Sequence, residues 1–305
     1  MKLEGIHHVT CITADAPGNV RFYAGVLGLR LVKKSVNQDD PTVYHLFYAD
    51  EVGSAGSDMT FFEYPGARRG RAGAGMVHRV VWRVASEAAL DFWEERLRPE
   101  GVPVSREDGR LRLADPEGLG LGLAVVETSD EPLVARHPEI PEEFALQGFD
   151  GVHALTAAPE RSRPFLEGLA FEPDGDGFEV RGEQRGSFYR YDATDARGVG
   201  GAGTVHHVAW ASPMEEHEAW RRRVLEAGGQ PTAVIDRFYF RSIYFREPSG
   251  VLFEIATIGP GFDTDEPLEH LGERLSLPPD YEHLRDRLGG ILTPLPDPRA
   301  VSAGS

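Results

Sequence analysis

A strand motif containing at least one histidine occurs four times along the chain, and this repetition constrains the fold more than any other sequence feature. Each copy is followed by a helix pattern that opens at proline, serine or aspartate, and then by further short strands. The copies begin with the segments Gly5-Ile6-His7-His8-Val9-Thr10, Met76-Val77-His78-Arg79-Val80-Val81-Trp82, Gly151-Val152-His153-Ala154-Leu155-Thr156 and Thr204-Val205-His206-His207-Val208-Ala209-Trp210. Because repeats of this kind are supersecondary units that share a core with their neighbours, we expect four related modules.

The spacing of the modules predicts how the chain is divided. A length of 305 residues is sufficient for two domains. We predict an N-terminal domain over residues 1–130, a linker over 131–148, a C-terminal domain over 149–258 and a tail over 259–305.

Helix signals accompany the modules and the tail. In module four, Ser212-Pro213-Met214-Glu215 is predicted to form a capping box with proline in the first turn. In the tail, residues 268–275 and 281–288 are expected to be helical, and the last residues are expected to be frayed.

Composition excludes several classes of partner. The 32 basic and 49 acidic residues give a formal net charge of −17, which argues against nucleic acid and anionic membranes because both require a basic surface. No apolar run approaches the length of a membrane span, and the first residues lack a signal-peptide pattern. The one cysteine, Cys11, fits a reducing compartment, so we expect a cytoplasmic protein. The sequence leaves the oligomeric state open and is compatible with a homo-oligomer.

Comparison of the modules indicates one metal site. Modules one and four each carry a His-His pair, whereas Arg79 and Ala154 stand opposite the second histidine in modules two and three. Glu254 lies in an apolar run, where a carboxylate is costly to bury unless it is paired or bound to a metal, and Gly122 takes its place in module two. Two histidines and a carboxylate are the ligands of an Fe(II) facial triad. Since neighbouring strand residues face opposite sides, one histidine of each pair should be a ligand, but the pattern does not say which.

Other residues surround this predicted centre. Glu63 lies near the repeat position of Glu254, and the sequence leaves open whether it is a fourth metal ligand. Arg237 and Tyr244 are placed on strands before Glu254, where they would line a pocket for a flat anionic substrate. The alternative is a half-exposed sheet with arginines that extend into solvent.

The modules together resemble the vicinal oxygen chelate superfamily, which includes glyoxalase I, bleomycin-resistance proteins and extradiol dioxygenases, and they are most similar to the two-domain ring-cleaving dioxygenases of the hydroquinone type. The resemblance covers nearly the whole chain. The residues that carry it are Leu3 to Thr10, Val43-Tyr44-His45-Leu46-Phe47-Tyr48-Ala49-Asp50-Glu51, Val205 to Ala209, Asp236 to Ala256 and Asp265-Glu266-Pro267-Leu268.

The resemblance implies an α+β fold in which four βαβββ modules form two open barrels. It implies that the second histidine of each pair and the late glutamate, His8, His207 and Glu254, bind Fe(II), and Mn(II) accepts the same ligands. It also assigns a group of pocket residues in the catalytic site, namely His7, Thr10, His206, Arg237 and Tyr244.

The leading hypothesis is therefore an extradiol-type ring-cleaving dioxygenase whose partners are a small dihydroxylated aromatic, a hydroquinone or a catechol, and dioxygen. In it, His206 transfers a proton, and Arg237 and Tyr244 stabilise a developing oxyanion. One alternative is a glyoxalase-type metal-dependent lyase or isomerase, which requires a fourth protein ligand such as Glu63. The other is a non-enzymatic binding or resistance protein without the metal triad. The sequence does not specify the ring substrate, the cleavage position or the physiological metal.

Overall fold

The structure is a computed structural model that describes residues 1–297, and it contains the four modules as βαβββ units. In module one the helix continues into a π-helical turn over Arg21–Val26. Module one contains β1 (Ile6–Thr13), α1 (Ala16–Val20), β2 (Arg30–Asn37), β3 (Asp40–Ala49) and β4 (Asp58–Glu63). Module two contains β5 (Met76–Val84), α2 (Glu87–Leu97), β6 (Ser105–Glu107), β7 (Arg110–Ala114) and β8 (Gly120–Val125).

Modules three and four repeat this order with shorter helices. Module three contains β9 (Phe149–Thr156), α3 (Arg163–Gly168), β10 (Glu172–Asp174), β11 (Gly177–Arg181) and β12 (Gly186–Ala193). Module four contains β13 (Thr204–Ser212), α4 (His217–Glu226), β14 (Ile235–Asp236), β15 (Phe240–Arg246) and β16 (Leu252–Pro260). The predicted α+β class with four βαβββ modules is thus confirmed.

The strands form two curved sheets of eight strands each. The first sheet has the order β14-β15-β16-β13-β1-β4-β3-β2, and the second has the order β10-β11-β12-β9-β5-β8-β7-β6. The first sheet therefore joins modules one and four, and the second joins modules two and three. The predicted segments 1–130 and 149–258 each contribute one module to each sheet. Each sheet is therefore built from both predicted domains. The boundaries at 130 and 149 stay predictions.

Alternation along the strands separates a helix-covered core from an open inner face. On β13, Val208 and Trp210 are completely buried, and the Trp210 ring contacts Phe253 of β16 at 5.5 Å between centroids. His207 and Ala209 point to the opposite side, because side chains alternate along a strand. His207 therefore faces inward, and a bulge at His206, which the pairing with β1 skips, interrupts the alternation at that residue.

Two predictions of helices were wrong. Ser212 is the last residue of β13, and its hydroxyl lies 3.3 Å from the His217 ring instead of capping a helix, so α4 begins only at His217 after a 3-10 turn. In the tail, only the 3-10 turn Leu268–His270 is helical within 268–275, because Leu275 instead pairs with the edge strand β2.

The rest of the tail follows the prediction. Its second helical segment consists of a 3-10 helix, Pro279–Leu284, and α5, Arg285–Leu288. The expected fraying concerns residues outside those that the structure describes. No helix within residues 1–297 is long and apolar enough to cross a membrane.

Candidate metal centre

Three side chains converge on the inner face of the first sheet. His8, His207 and Glu254 lie on the adjacent central strands β1, β13 and β16. The Nε2 atoms of His8 and His207 are 3.3 Å apart, and Oε2 of Glu254 lies 3.2 Å from the former and 2.9 Å from the latter. All three side chains are buried. The structure therefore resolves the choice within each His-His pair, since the second histidine faces the carboxylate in both.

The spacing of these atoms fits one metal ion. Divalent first-row metals hold imidazole nitrogen and carboxylate oxygen at about 2.1 Å, so two donors at right angles are about 3.0 Å apart. The three observed separations are close to this value, which corresponds to neighbouring coordination positions on one side of an ion. Burial alone would raise the pKa of Glu254, but His8 and His207 lower it well below its usual range, so the carboxylate is ionised as a ligand must be.

Hydrogen bonds behind His8 fix its tautomer. The His7 Nε2 lies 3.2 Å from the backbone carbonyl of Thr257, which can only accept, so this nitrogen carries the proton. Burial and the nearby His8 lower the pKa of His7 to about 3, so the ring is neutral and its Nδ1 is an acceptor. The Nδ1 atoms of His7 and His8 are 3.0 Å apart, hence His8 donates there and its Nε2 keeps a lone pair for a metal.

The other two ligand side chains are oriented in a similar way. The Nδ1 atoms of His206 and His207 are 2.8 Å apart, which repeats the arrangement of the first pair. Ser242 on β15 donates its hydroxyl to Oε1 of Glu254 and leaves Oε2 directed at the two histidines. The triad is therefore held in position by its own protein surroundings.

A cavity of about 300 Å³ opens beside the triad. Aromatic side chains form much of its wall, and polar groups gather where the triad lies. The aromatic lining consists of Phe47, Phe62, Tyr64, Tyr239, Phe240 and Tyr244. A small, mostly aromatic pocket with a few convergent polar groups is typical of a site for a small molecule.

The predicted pocket residues divide into two groups. His206, Arg237 and Tyr244 line the cavity. His7 lies behind His8, and Thr10 is completely buried beneath the pocket, so these two residues act through their neighbours and do not line it.

The placement of Arg237 on a strand was wrong. It lies in the turn between β14 and β15, and its guanidinium donates to both carboxylate oxygens of Asp39, at 3.2 and 2.9 Å, on the turn between β2 and β3. The same guanidinium lies over the ring of Tyr244 at 5.4 Å. Arg237 therefore links the two turns at the cavity and supports Tyr244.

His45 is a pocket residue that the sequence analysis did not select. Its ring lies between Phe47 and Phe62, with centroid distances of 3.9 and 4.4 Å. Its Nε2 is 2.9 Å from the hydroxyl of Thr60, which in turn donates to Thr10 at 2.8 Å. His45 lies in the segment 43–51, which carries the family resemblance but is not one of the repeated first strands that indicated the metal ligands.

Strand pairing corrects two repeat positions. Ala209 of module four pairs with His8 of module one. Val81 is the residue of module two that is equivalent to Ala209, and it pairs with Gly151 of module three. Gly151 and not Ala154 therefore takes the place of His8 in module three. The sequence alignment was three residues out of register, because it matched the His-x-x-Thr motifs that end at Thr10 and Thr156, whereas strand pairing places His153 at the position of Thr10.

The second correction concerns Glu63. Glu254 pairs with Ala209, and the equivalent residue Thr10 pairs with Thr60, so Thr60 and not Glu63 is the counterpart of Glu254. The Glu63 carboxylate instead accepts the backbone N–H of Ala16 at the start of α1. Glu63 does not belong to the group of potential metal ligands formed by the described residues.

Comparisons with known proteins agree with this geometry. Residues 5–123 match the family model described as the glyoxalase/bleomycin resistance protein/dioxygenase superfamily. The Bacillus subtilis (strain 168) protein named "Putative ring-cleaving dioxygenase MhqA" is 40% identical over 97% of this chain and 100% of its own length. The "Chlorohydroquinone/hydroquinone 1,2-dioxygenase" of Sphingobium indicum is 32% identical over 94% of this chain and 95% of its own length.

Solved structures give the same assignment. The crystal structure of a "putative dioxygenase" from Bacillus subtilis superposes with a TM-score of 0.91 at 39% identity and covers 97% of this chain and 98% of that one. Glyoxalase I from Zea mays shares the fold, with a TM-score of 0.60 at 14% identity over 88% of this chain and 97% of that one. From the match to the family model and the full-length relatives, we conclude that the chain belongs to the glyoxalase/bleomycin resistance protein/dioxygenase superfamily.

Proposed function

We propose that this protein is a ring-cleaving dioxygenase that acts on a hydroquinone-type aromatic and holds Fe(II) with His8, His207 and Glu254. The observation that carries the proposal is the convergence of three buried ligand atoms within 3.3 Å of one another beside an aromatic cavity. The names of the relatives, ring-cleaving dioxygenase and hydroquinone 1,2-dioxygenase, support the reaction class and the substrate class. The cavity volume lies at the lower end of the range for small-molecule pockets, which suits a single ring.

His8, His207 and Glu254 would hold an ion at the wall of the cavity, where a substrate could reach it. A bound metal would supply a positive charge that lowers the pKa of a coordinated hydroxyl, together with open positions for substrate and dioxygen. Tyr244 lies beside this position, with its ring 5.7 Å from that of His207, and burial raises its pKa. Its phenol therefore stays protonated and can donate a hydrogen bond to an oxyanion on the substrate.

His45 is our candidate for the residue that accepts the substrate proton. Thr60 donates its own hydrogen to Thr10, so it must accept from the His45 Nε2–H. In the neutral ring Nδ1 then keeps the lone pair, and burial together with His8 and His207 keeps the pKa of His45 well below its usual value. This leaves His45 neutral in the pocket wall, with a lone pair that could accept the proton of a substrate hydroxyl whose own pKa a bound metal would lower.

His206 has a different role in this proposal. If His207 binds metal through Nε2, its Nδ1–H donates to Nδ1 of His206, and the proton of neutral His206 is on Nε2. His206 is exposed and lines the cavity, so this Nε2–H is a hydrogen-bond donor toward the substrate. Its predicted role in transferring a proton is therefore replaced by orientation of the substrate.

The decisive experiment measures oxygen uptake by anaerobically Fe(II)-loaded protein with a panel of hydroquinones and catechols. We expect uptake coupled to the formation of a ring-opened chromophore. The variant His207→Ala should lose both bound iron and turnover, whereas Glu63→Gln, which changes a buried carboxylate outside the triad, should keep its iron. Full iron content in His207→Ala would contradict the ligand assignment.

The same measurements address the glyoxalase-type alternative. A lyase with a fourth protein ligand predicts that Glu63→Gln loses metal, and the hydrogen bond from Ala16 to Glu63 argues against this role. The extradiol class stays a prediction, since intradiol and extradiol are defined for adjacent hydroxyls and hydroquinone carries its hydroxyls on opposite carbons. Analysis of the product from each diol will assign the bond that breaks, and activity after reconstitution with Fe(II) or Mn(II) will assign the preferred metal.

A further inference from the structure

The second sheet carries arginines on the face that corresponds to the metal centre of the first. Arg79 on β5 pairs with Gly120 on β8, and Gly122 on the same strand pairs with Arg112 on β7. Residues paired across a ladder, and alternate residues along a strand, point to the same side of a sheet. Arg79 and Arg112 therefore share the inner face of this sheet.

Two further arginines, Arg110 on β7 and Arg190 on β12, lie on the same face. Arg79 also pairs with His153 on β9, and His153 pairs with Arg190 on β12. The guanidinium groups of Arg110 and Arg190 lie 5.7 and 4.9 Å from the ring centre of Phe188, which holds both of them over this side. We define the basic face by the residues Arg79, Arg110, Arg112 and Arg190.

The basic face has lost the means to bind a cation. The positions equivalent to the three metal ligands are occupied by Arg79, Gly122 and Gly151. A side chain at Gly151 would meet the ring of Phe188 at 2.3 Å, so this position is closed, and a side chain at Gly122 would lie 3.3 Å from Val81 and 3.7 Å from the Arg79 stem. A site that favours positive charge in the first sheet thus corresponds to a surface that favours negative charge in the second.

The positive charges of this face are incompletely neutralised. Arg112 and Arg190 pair with exposed carboxylates of neighbouring turns and strands. Within residues 1–297, neither Arg79 nor Arg110 has a carboxylate at ion-pair distance. Asp192, the acidic residue with the largest effect on Arg79, is held by His78 at 2.7 Å and by His153 at 3.4 Å.

The environment of Arg79 requires a counter-ion. Its side chain is half-buried, and burial together with the charge of Arg112 lowers its pKa. Like charges that face each other on a sheet destabilise it, and an anion placed between them removes this repulsion. Guanidinium groups bind carboxylate and phosphate oxygens through paired, charge-assisted hydrogen bonds.

We propose that the basic face is a second binding site, which holds a small oxyanion, a carboxylate or a phosphate group, between Arg79 and Arg112. Arg190 lies on the same face two strands from Arg79, and Gly120 and Gly122 of β8 place no side chain between Arg79 and Arg112. The site lies on a different sheet from the metal triad and does not depend on the proposed reaction.

Isothermal titration calorimetry on the full-length protein at constant ionic strength tests this site, with inorganic phosphate and with maleate as probes. Titrations with and without Fe(II) separate an anion bound at the triad from one bound at the basic face. We expect saturable, metal-independent binding that Arg79→Gln weakens at least tenfold, because a hydrogen bond to a charged group is worth about 1.5–3 kcal/mol.

Arg98→Gln is the matched control because it removes the same charge from the same module. The Arg98 side chain is 71% exposed. It should change the affinity less than twofold. No saturable binding of either probe, or equal weakening by both variants, would overturn the proposal. If the melting curve shows that Arg79→Gln is unfolded, Arg190→Gln provides the same test from the other side. The stronger probe identifies the anion as a planar carboxylate or a tetrahedral phosphate.

Discussion

At the scale of single residues, the position of the proton on each histidine ring determines whether the other ring nitrogen keeps a lone pair. His7 donates to a carbonyl and therefore accepts from His8, and this leaves the metal-facing nitrogen of His8 free. The same reasoning through Thr60 leaves Nδ1 of His45 without a proton. An acceptor that cannot donate thus determines which ring nitrogen of a neighbouring histidine carries the proton.

A prediction at this scale concerns His45. Replacing it with alanine should lower kcat by about two orders of magnitude, the usual contribution of a general base, while iron content stays unchanged because the triad is intact. Steady-state oxygen uptake and metal analysis of His45→Ala measure both quantities. The conservative variant Thr60→Val, which removes the acceptor for Nε2, should weaken activity less. An active His45→Ala enzyme would exclude this residue as the base.

At the scale of elements, the turns before the last strands of modules two and four join neighbouring modules. Asp115 accepts a hydrogen bond from the Tyr23 hydroxyl of module one at 3.2 Å. In module four, Glu247 accepts one from Tyr191 of module three at 2.9 Å and another from Ser162. A carboxylate buried at a turn thus links module two to module one and module four to module three by hydrogen bonds. The sheets join module one to module four and module two to module three.

The turn of module two predicts a pH dependence of stability. Burial raises the pKa of Asp115 from 3.8 to about 6. The folded state then binds more protons than the unfolded state between these two values, so lowering the pH through this window stabilises the fold. From pH 7.5 to pH 5 this group should add about 1.4 kcal/mol to the free energy of unfolding.

Urea unfolding at both pH values tests this contribution. Asp115→Asn should lose it, so its stability relative to the wild type falls as the pH is lowered, whereas the exposed Asp195→Asn should follow the wild type. The same pH response in Asp115→Asn and in the wild type would show that another group is responsible.

At the scale of the whole molecule, the proposed ion connects the two ends of the chain. Its ligands come from module one and module four, on three neighbouring central strands. An ion present at a thousand times its dissociation constant adds about 4 kcal/mol of stability, and in a protein of this size each kcal/mol corresponds to about 2–4 °C. Removal of the metal with a chelator should therefore lower Tm by about 10 °C.

Calorimetry with and without chelator measures this shift. The control is His207→Ala, whose Tm should not respond to the chelator because no ion is bound. An equal shift in both proteins would mean that the chelator acts elsewhere.

The repeated motif predicted the four modules and one site between modules one and four, because a ligand on a strand has to recur at a fixed position of the module. It left open which histidine of each pair faces Glu254, and the choice of His8 and His207 followed from the family resemblance. The comparison of repeats failed in module three. The His-x-x-Thr motif aligned His7 with His153, whereas strand pairing places His153 at the position of Thr10, so Gly151 was missed. Arg237 was placed on a strand although it lies in a turn, and His45 was missed because its role depends on Thr60, a contact between strands that a sequence pattern does not contain.

The pairing of modules one with four and two with three sets an order of assembly on the ribosome. The second sheet is complete when β12 has been synthesised, but β1, which pairs early with β4 on one edge, must wait for β13 on the other. The nascent chain therefore carries module one with an unpaired β1 edge for most of its synthesis, which favours protection by a chaperone. A translation product that ends before β16 lacks Glu254, so the proposed metal centre can form only once modules one and four are both present.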